Sequence, residues 1–167
     1  SAGWRTGHAQ PGISLVGWVA LHLLREQAPA LAFDATAGWS LGEFAAVAAA
    51  DALGFEDGLR VVRRRGKVMQ HACEASTGGM AAIVGLDEEA VRDVCGQAGV
   101  SLANLNCPGQ IVISGDADKI ETACAAAKAA GAKRAMPLPV AGAYHSPLMQ
   151  PARAGLAEAL AKVKLRE

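Results

Sequence analysis

Met80-Ala81-Ala82-Ile83-Val84-Gly85-Leu86-Asp87-Glu88-Glu89-Ala90 is where the rhythm of this chain changes. From Gly78 onward the pattern is of short strands and helices. Met80–Leu86 reads as a strand. Asp87–Ala98 reads as a helix, with Asp87 placed to cap it and Glu88 and Glu89 in its first turn, where negative charge meets the helix dipole. Val100–Asn106 is a second strand, Pro108-Gly109 a turn, and Gln110–Ser114 a third strand. Ala117–Ala130 is a helix with Gly131 in a C-cap position. Ala132–Pro139 is the last strand.

This β-α-β-β-α-β order is the ferredoxin-like arrangement, a complete small unit over 78–137. The flanks, 1–77 and 138–167, read differently. Residues 13–27 predict a helix with Ile13, Val16, Val19, Ala20, Leu23 and Leu24 on one side, ended by Pro29. Residues 30–36 suit a short strand, and residues 41–52 an alanine-rich helix. A further helix over about 56–74 carries Leu59, Val62, Gly66, Met69 and Cys73 on one stripe. At about 100° per residue, Arg64 points away from that stripe and Arg65 sits roughly 70° off its centre, able to reach along the buried edge. After the last strand comes Tyr144-His145-Ser146-Pro147, then a helix from about Leu148 to Lys164. Its stripe is Leu148, Ala152, Leu156, Ala159, Leu160 and Val163.

The composition bounds the function. In 167 residues, just over half hydrophobic and 4% aromatic, Lys+Arg and Asp+Glu balance at 16 each. Nothing there gives a general affinity for nucleic acid or anionic membranes. No apolar run reaches the length of a membrane span. Cys73, Cys95, Cys107 and Cys124 have no zinc or redox-pair spacing, which favours reduced thiols and a cytoplasmic setting. The chain does not begin with methionine and carries no signal peptide, so it is expected to start inside something longer or to have been processed.

Between the 30–36 segment and the next helix stands Gly38-Trp39-Ser40-Leu41-Gly42, of the form of a nucleophile elbow. The chemistry asks for a serine on a tight turn between strand and helix. Glycines give it room, and the next amide, on Leu41, points from the helix N-terminus at the forming oxyanion. Ser40-Leu41-Gly42-Glu43 equally matches a helix capping box. Of His8, His22, His71 and His145, only His145 lies in a loop after a strand, where a base could meet Ser40 across a cleft.

Taken together these strings carry a resemblance. Gly38-Trp39-Ser40-Leu41-Gly42-Glu43-Phe44 resembles the GHSLGEY motif of the malonyl-CoA:acyl-carrier-protein transacylase family, which serves fatty acid and polyketide synthesis. Arg65-Gly66-Lys67-Val68-Met69-Gln70, Asn106-Cys107-Pro108-Gly109-Gln110 and the run Gly131–Val140 resemble further family segments. Tyr144–Met149 resembles the one that holds the family's catalytic histidine. Order and spacing agree along nearly the whole chain. The resemblance implies an α/β-hydrolase-like large subdomain, here partial, with an inserted ferredoxin-like subdomain and the active site in the cleft between them. It implies Ser40 as nucleophile, His145 as base, Leu41 as one oxyanion donor and Arg65 as the ligand of the malonyl carboxylate. Gln10, in Ala9-Gln10-Pro11, matches a glutamine near the cleft. Asn106 stands either at the cleft or as a turn asparagine. Tyr144, a bulky ring before His145, would crowd a methyl branch and so favours malonyl over methylmalonyl. Malonyl-CoA and an acidic acyl carrier protein are the implied partners, with no metal or redox cofactor. Arg63, Arg64, Lys67, Lys133 and Arg134 are the candidate basic contacts or else solvated faces.

The sequence also departs from the family. Trp39 replaces the usual histidine. The family's N-terminal GQGxQ loop and its C-terminal part are absent, so the chain as given is expected to be weak or inactive and to lack outer strands of its sheet. A serine esterase or thioesterase, and a non-catalytic acyltransferase-like docking module, are the two rival readings.

Overall fold

The structure, a computed structural model, describes residues 6–166. The elements run α1 (Thr6–Gln27), α2 (Gly42–Ala49), α3 (Phe55–Glu74), β1 (Gly78–Val84), α4 (Glu88–Ala98), β2 (Ser101–Cys107), β3 (Gln110–Asp116), α5 (Ala117–Ala129) and β4 (Arg134–Pro137). A 3-10 turn at Pro147–Met149 then leads into α6 (Gln150–Leu160). The fold is mixed α/β with one small antiparallel sheet. Contacts divide the chain into two units. One is the chain up to Gln70 with the stretch from Arg153, and the other is His71–Ala152. The second unit groups the expected 78–137 segment with its flanks on both sides.

The second unit has the β-α-β-β-α-β element order read from the sequence. Its sheet runs β2-β3-β1-β4 with every pairing antiparallel. Alternation along the strands decides the two faces. Ala81 and Ile83 of β1 and Ile111 and Ile113 of β3 pack with Val91, Val94 and Cys95 of α4 and Ile120, Ala123 and Ala127 of α5. The other face carries Met80, Ala103 and Val112, with Leu138 and Tyr144 against them. Asp87 caps α4 as expected, accepting from Ala90 N–H at 2.8 Å, and Gly99 closes that helix in the left-handed region. Beyond α5 the Ala132 N–H returns to Ala127 C=O, with Gly131 at positive φ. The register shifts twice along β2, between Leu102 and Asn104 and between Leu105 and Cys107.

In the first unit two expectations are corrected. The apolar stripe of α1 does not pack: Ile13, Val16, Val19, Leu23 and Leu24 are exposed, and the buried residues are Thr6, Gln10, Ser14 and Trp18. The reason is steric fit. A Cβ on Gly66 of α3 would lie 2.9 Å from Thr6 C=O, and one on Gly58 would lie 2.4 Å from the Trp18 ring. The helices approach along small residues, and that line of approach selects the buried side of α1. Trp18 then meets Phe55 edge to face at 4.9 Å. The second correction concerns 30–36, which is not a strand. A strand is defined by its ladder, and all four strands of the described residues pair with one another in the second unit.

Smaller differences lie at helix ends. α2 closes at Ala49, short of 52, and Arg25 holds its C-terminal end by donating to Ala49 C=O and to the Asp51 carboxylate. α6 is preceded by the 3-10 turn that Pro147 starts, and it ends at Leu160. A Cβ on Gly155 would stand 2.7 Å from Val68, so α6 runs close against α3 in the first unit. Among the described residues no helix is long and apolar enough to cross a membrane. None of the four cysteines is in a disulfide.

Candidate active site

Ser40 sits at φ 52°, in the left-handed region that residues with a Cβ seldom adopt. The turn around it is tightly wound. A Cβ on Gly38 would lie 2.0 Å from Gly42 C=O and 2.4 Å from Glu43 N, so the incoming segment passes the start of α2 at a separation only glycine permits. Gly42 N–H closes the turn on Trp39 C=O at 2.8 Å, and Phe44 N–H bonds Leu41 C=O at 3.2 Å. Leu41, in helical conformation, is the cap position of α2. Its N–H finds no backbone acceptor among the described residues. It therefore stands as an unspent donor at a helix N-terminus, where partial positive charge accumulates.

The capping box does not form. No side chain caps α2. The Ser40 hydroxyl is engaged elsewhere: Arg65 Nη2 donates to Ser40 Oγ at 2.8 Å. Arg65 comes from the middle of α3 and is only 8% exposed, while Arg63 and Arg64 beside it are exposed; helix geometry led us to expect the contrast between Arg64 and Arg65. Its Nη1 donates to Gln10 Oε1 of α1 at 2.5 Å. The Gln10 amide nitrogen in turn points at Met69 Sδ, 3.4 Å away, which orients the amide with its oxygen toward Arg65. The Phe44 ring lies under the guanidinium, 5.9 Å from centroid to Cζ.

This guanidinium is short of negative charge. Among the described residues no carboxylate lies within ion-pair distance of Arg65, and both side-chain acceptors it reaches are neutral. Burial pulls its pKa below the ordinary arginine value, and the more distant Glu43 pushes it back up. A buried cation without a counter-ion is costly, and an anion brought to it gains correspondingly. Ser40, Arg65 and Gln10 thus form a hydrogen-bonded set drawn from three separate stretches of the first unit.

His145 belongs to the second unit. It is exposed and also left-handed, at φ 60°. Its loop is held firmly within that unit. A Cβ on Gly142 would lie 2.4 Å from Cys73 Sγ, and one on Gly78 would lie 2.7 Å from Ala143. Ser146 Oγ donates to Ala143 C=O at 2.7 Å and accepts from Leu148 N–H. Tyr144 packs on Met80, Ala103 and Val112 and hydrogen-bonds the Cys73 thiol, whose pKa burial pushes up.

Of the remaining sequence candidates, Asn106 is exposed on the irregular end of β2, and Trp39 is 61% exposed on the serine turn. Sequence reasoning placed Gln10 near the cleft without seeing that it would accept from Arg65, and it overlooked Phe44 and Met69 as parts of the arginine's seat. Phe44 sat in plain view four residues after Ser40, but nothing local in the sequence marked it as facing a cation.

The pattern of the family described as "Acyl transferase domain" matches residues 3–167. The chain is 48% identical over 160 residues to the malonyl CoA-acyl carrier protein transacylase of Bacillus subtilis, covering 93% of this chain and 50% of that protein. It is 45% identical over 163 residues to the protein of the same name in Escherichia coli K12, covering 95% and 52%. Among solved structures it is similar to one chain of the complex of a type II PKS acyl-carrier protein with its malonyl-transacylase, at TM-score 0.92 and 38% identity, over 97% of this chain and 53% of that one. The chain therefore spans about half the length of the curated relatives it matches.

Proposed function

The chain belongs to the acyl transferase domain family, and on that premise we propose that the protein containing it moves a malonyl group from malonyl-CoA to the phosphopantetheine thiol of an acyl carrier protein. The observation that carries this reading is Arg65: a buried guanidinium without a counter-ion, hydrogen-bonded to the hydroxyl of a serine on a strained turn. An acyl group ending in a carboxylate supplies the missing charge and brings its thioester to that serine. A planar guanidinium binds such a carboxylate through two parallel hydrogen bonds.

In the proposed reaction Ser40 Oγ attacks the thioester carbon while His145 takes its proton. The charge that develops on the carbonyl oxygen is met by the Leu41 N–H and by a second donor. The C–S bond breaks, the thiolate of CoA leaves with the proton returned by His145, and malonyl-serine remains with its carboxylate on Arg65. The thiol of the carrier's phosphopantetheine, deprotonated by His145, then attacks the same carbon and regenerates the serine. Nothing in these steps calls for a cofactor. Tyr144 next to His145 is proposed to disfavour a methyl branch at C2 of the acyl group, Trp39 and Asn106 to border the pocket, and Gln10 to hold Arg65. The lysines and arginines named above are the proposed contacts for an acidic carrier, and the setting is proposed to be cytoplasmic.

The same reading extends to architecture. Residues 1–77 and 138–167 are proposed to be part of an α/β-hydrolase-like subdomain, with a ferredoxin-like subdomain inserted at 78–137. The antiparallel order β2-β3-β1-β4 and the β-α-β-β-α-β succession support the second assignment.

The test is mass spectrometry of the intact protein after incubation with malonyl-CoA. A malonyl adduct on Ser40 that disappears when carrier protein is added is the expected result. Free malonate with no carrier adduct would make it a hydrolase, and a well-folded protein with no adduct would leave only a docking role.

A further inference from the structure

Arginine has donors and no acceptor, so in the 2.8 Å contact with Arg65 the Ser40 oxygen must be the acceptor. The oxygen that has to attack is therefore already spending electron density on a buried cation. The other arm of the guanidinium rests on the Gln10 amide oxygen. Both partners are neutral placeholders, each offering the guanidinium a single oxygen.

We propose that this contact is a resting lock: the hydrogen bond from Arg65 holds Ser40 in check, and the carboxylate of an incoming acyl group draws the guanidinium off and frees the nucleophile. The proposal rests on the reading of Ser40 and Arg65 given above and adds to it a means of regulation. A cation beside a hydroxyl has two opposed effects. It makes the proton easier to remove, and it occupies a lone pair of the oxygen that must attack. During attack an Oγ lone pair forms the Oγ–C bond while the proton passes to the base and negative charge appears on the carbonyl oxygen; the C–S bond then breaks, the proton going on to the departing sulfur. The hydrogen bond from Arg65 is thus stronger in the ground state than in the transition state, and an interaction of that kind slows the step. A carboxylate outcompetes the placeholders because it offers two anionic acceptors where they offer one neutral oxygen each. Selectivity then has a second source besides affinity. Acyl thioesters that end in a carboxylate meet a released serine, and neutral ones meet a locked one.

The experiment measures the rate of Ser40 acylation by acetyl-CoA, a neutral donor, in the intact protein by rapid quench and mass spectrometry. Sodium acetate is added against sodium chloride of equal ionic strength. Acetate should seat on Arg65, release the serine and speed acylation by about tenfold to a hundredfold, the range a charge-assisted hydrogen bond commands. If Arg65 only binds carboxylates, acetate leaves this rate unchanged or lowers it, and that result overturns the lock. Arg65→Ala gives a second reading. The absolute rate with acetyl-CoA should rise by a similar factor and lose its response to acetate, while malonyl transfer falls. A rate for acetyl-CoA at or below that of the unmutated protein overturns the lock and leaves the carboxylate-binding role standing. Should the variant not fold, the acetate measurement on the unmutated protein decides alone. Absence of any malonyl adduct on Ser40 in the unmutated protein would instead remove the proposed function.

Discussion

The two glycines that flank Ser40 look equivalent in the motif and are not equivalent in the structure. A Cβ at position 38 would sit 2.0 Å from Gly42 C=O, 2.1 Å from its carbonyl carbon and 2.4 Å from Glu43 N. Side-chain carbons essentially never come closer than 3.0 Å to another atom, so Gly38→Ala forces backbone against backbone by about 1 Å. No flexible side chain is there to give way. Overpacking of that sort costs about 1–3 kcal/mol, and with rigid backbone on both sides the upper end applies. For a protein of this size each kcal/mol lowers the melting temperature by about 2–4 °C, so the expected drop is about 6–12 °C. The displaced atoms are those of the Ser40 turn, and a misplacement of about 1 Å at a reacting centre costs on the order of 10²-fold in rate. At Gly42 an added Cβ meets nothing within 4 Å, and the residue is the first of α2. Gly42→Ala should be neutral or stabilising by less than about 1 kcal/mol, because alanine loses less backbone entropy in a helix. The assay is a thermal melt of both variants in the intact protein, with malonyl transfer measured for Gly38→Ala. Equal destabilisation by the two, or a larger effect at Gly42, would refute the account of the turn.

Three further outcomes follow from other parts of the molecule. Gln10→Leu removes the acceptor of a buried guanidinium N–H and should cost about 1–3 kcal/mol in urea unfolding, whereas Gln10→Glu, which keeps an oxygen in place, should not. Asp87→Ala should cost about 1 kcal/mol through loss of the α4 cap, with Asp87→Asn retaining most of it. The Arg25 guanidinium beside Asp51 holds that carboxyl below the ordinary aspartate value. A depressed carboxyl stabilises the fold fully above its unfolded pKa and loses that contribution as pH falls through the folded one. Asp51→Asn should therefore lower stability at neutral pH and flatten the acid limb of the stability–pH curve, read from melts across a pH series.

Local rules carried the reading as far as the relevant forces were local. The change of period at Gly78, the Asp87 cap and the position of Gly131 marked the element order of the second unit because strand alternation and helix capping act over a few residues. That Arg65 turns inward while Arg64 faces solvent followed from counting degrees around α3. Three features were beyond that reach. The buried side of α1 is chosen by where glycines let another helix close in, at Gly66 and Gly58, and the apolar residues of α1 are no guide to it. Residues 30–36 have an extended sequence, but a ladder needs a partner that no local pattern supplies. The string Ser40–Glu43 is compatible with a cap or an elbow. What separates the two is an arginine 25 residues further along, whose hydrogen bond takes the hydroxyl away from the helix end.

The outward stripe of α1 has a practical side. Ile13, Val16, Val19 and Leu23 are each about half exposed or more and lie along one helix with Leu15 and Leu24. An apolar band of that kind in contact with water is adhesive. Handled alone at high concentration, this polypeptide will self-associate and bind hydrophobic dyes. Charged residues written into that band are the place to begin in making it tractable at the bench.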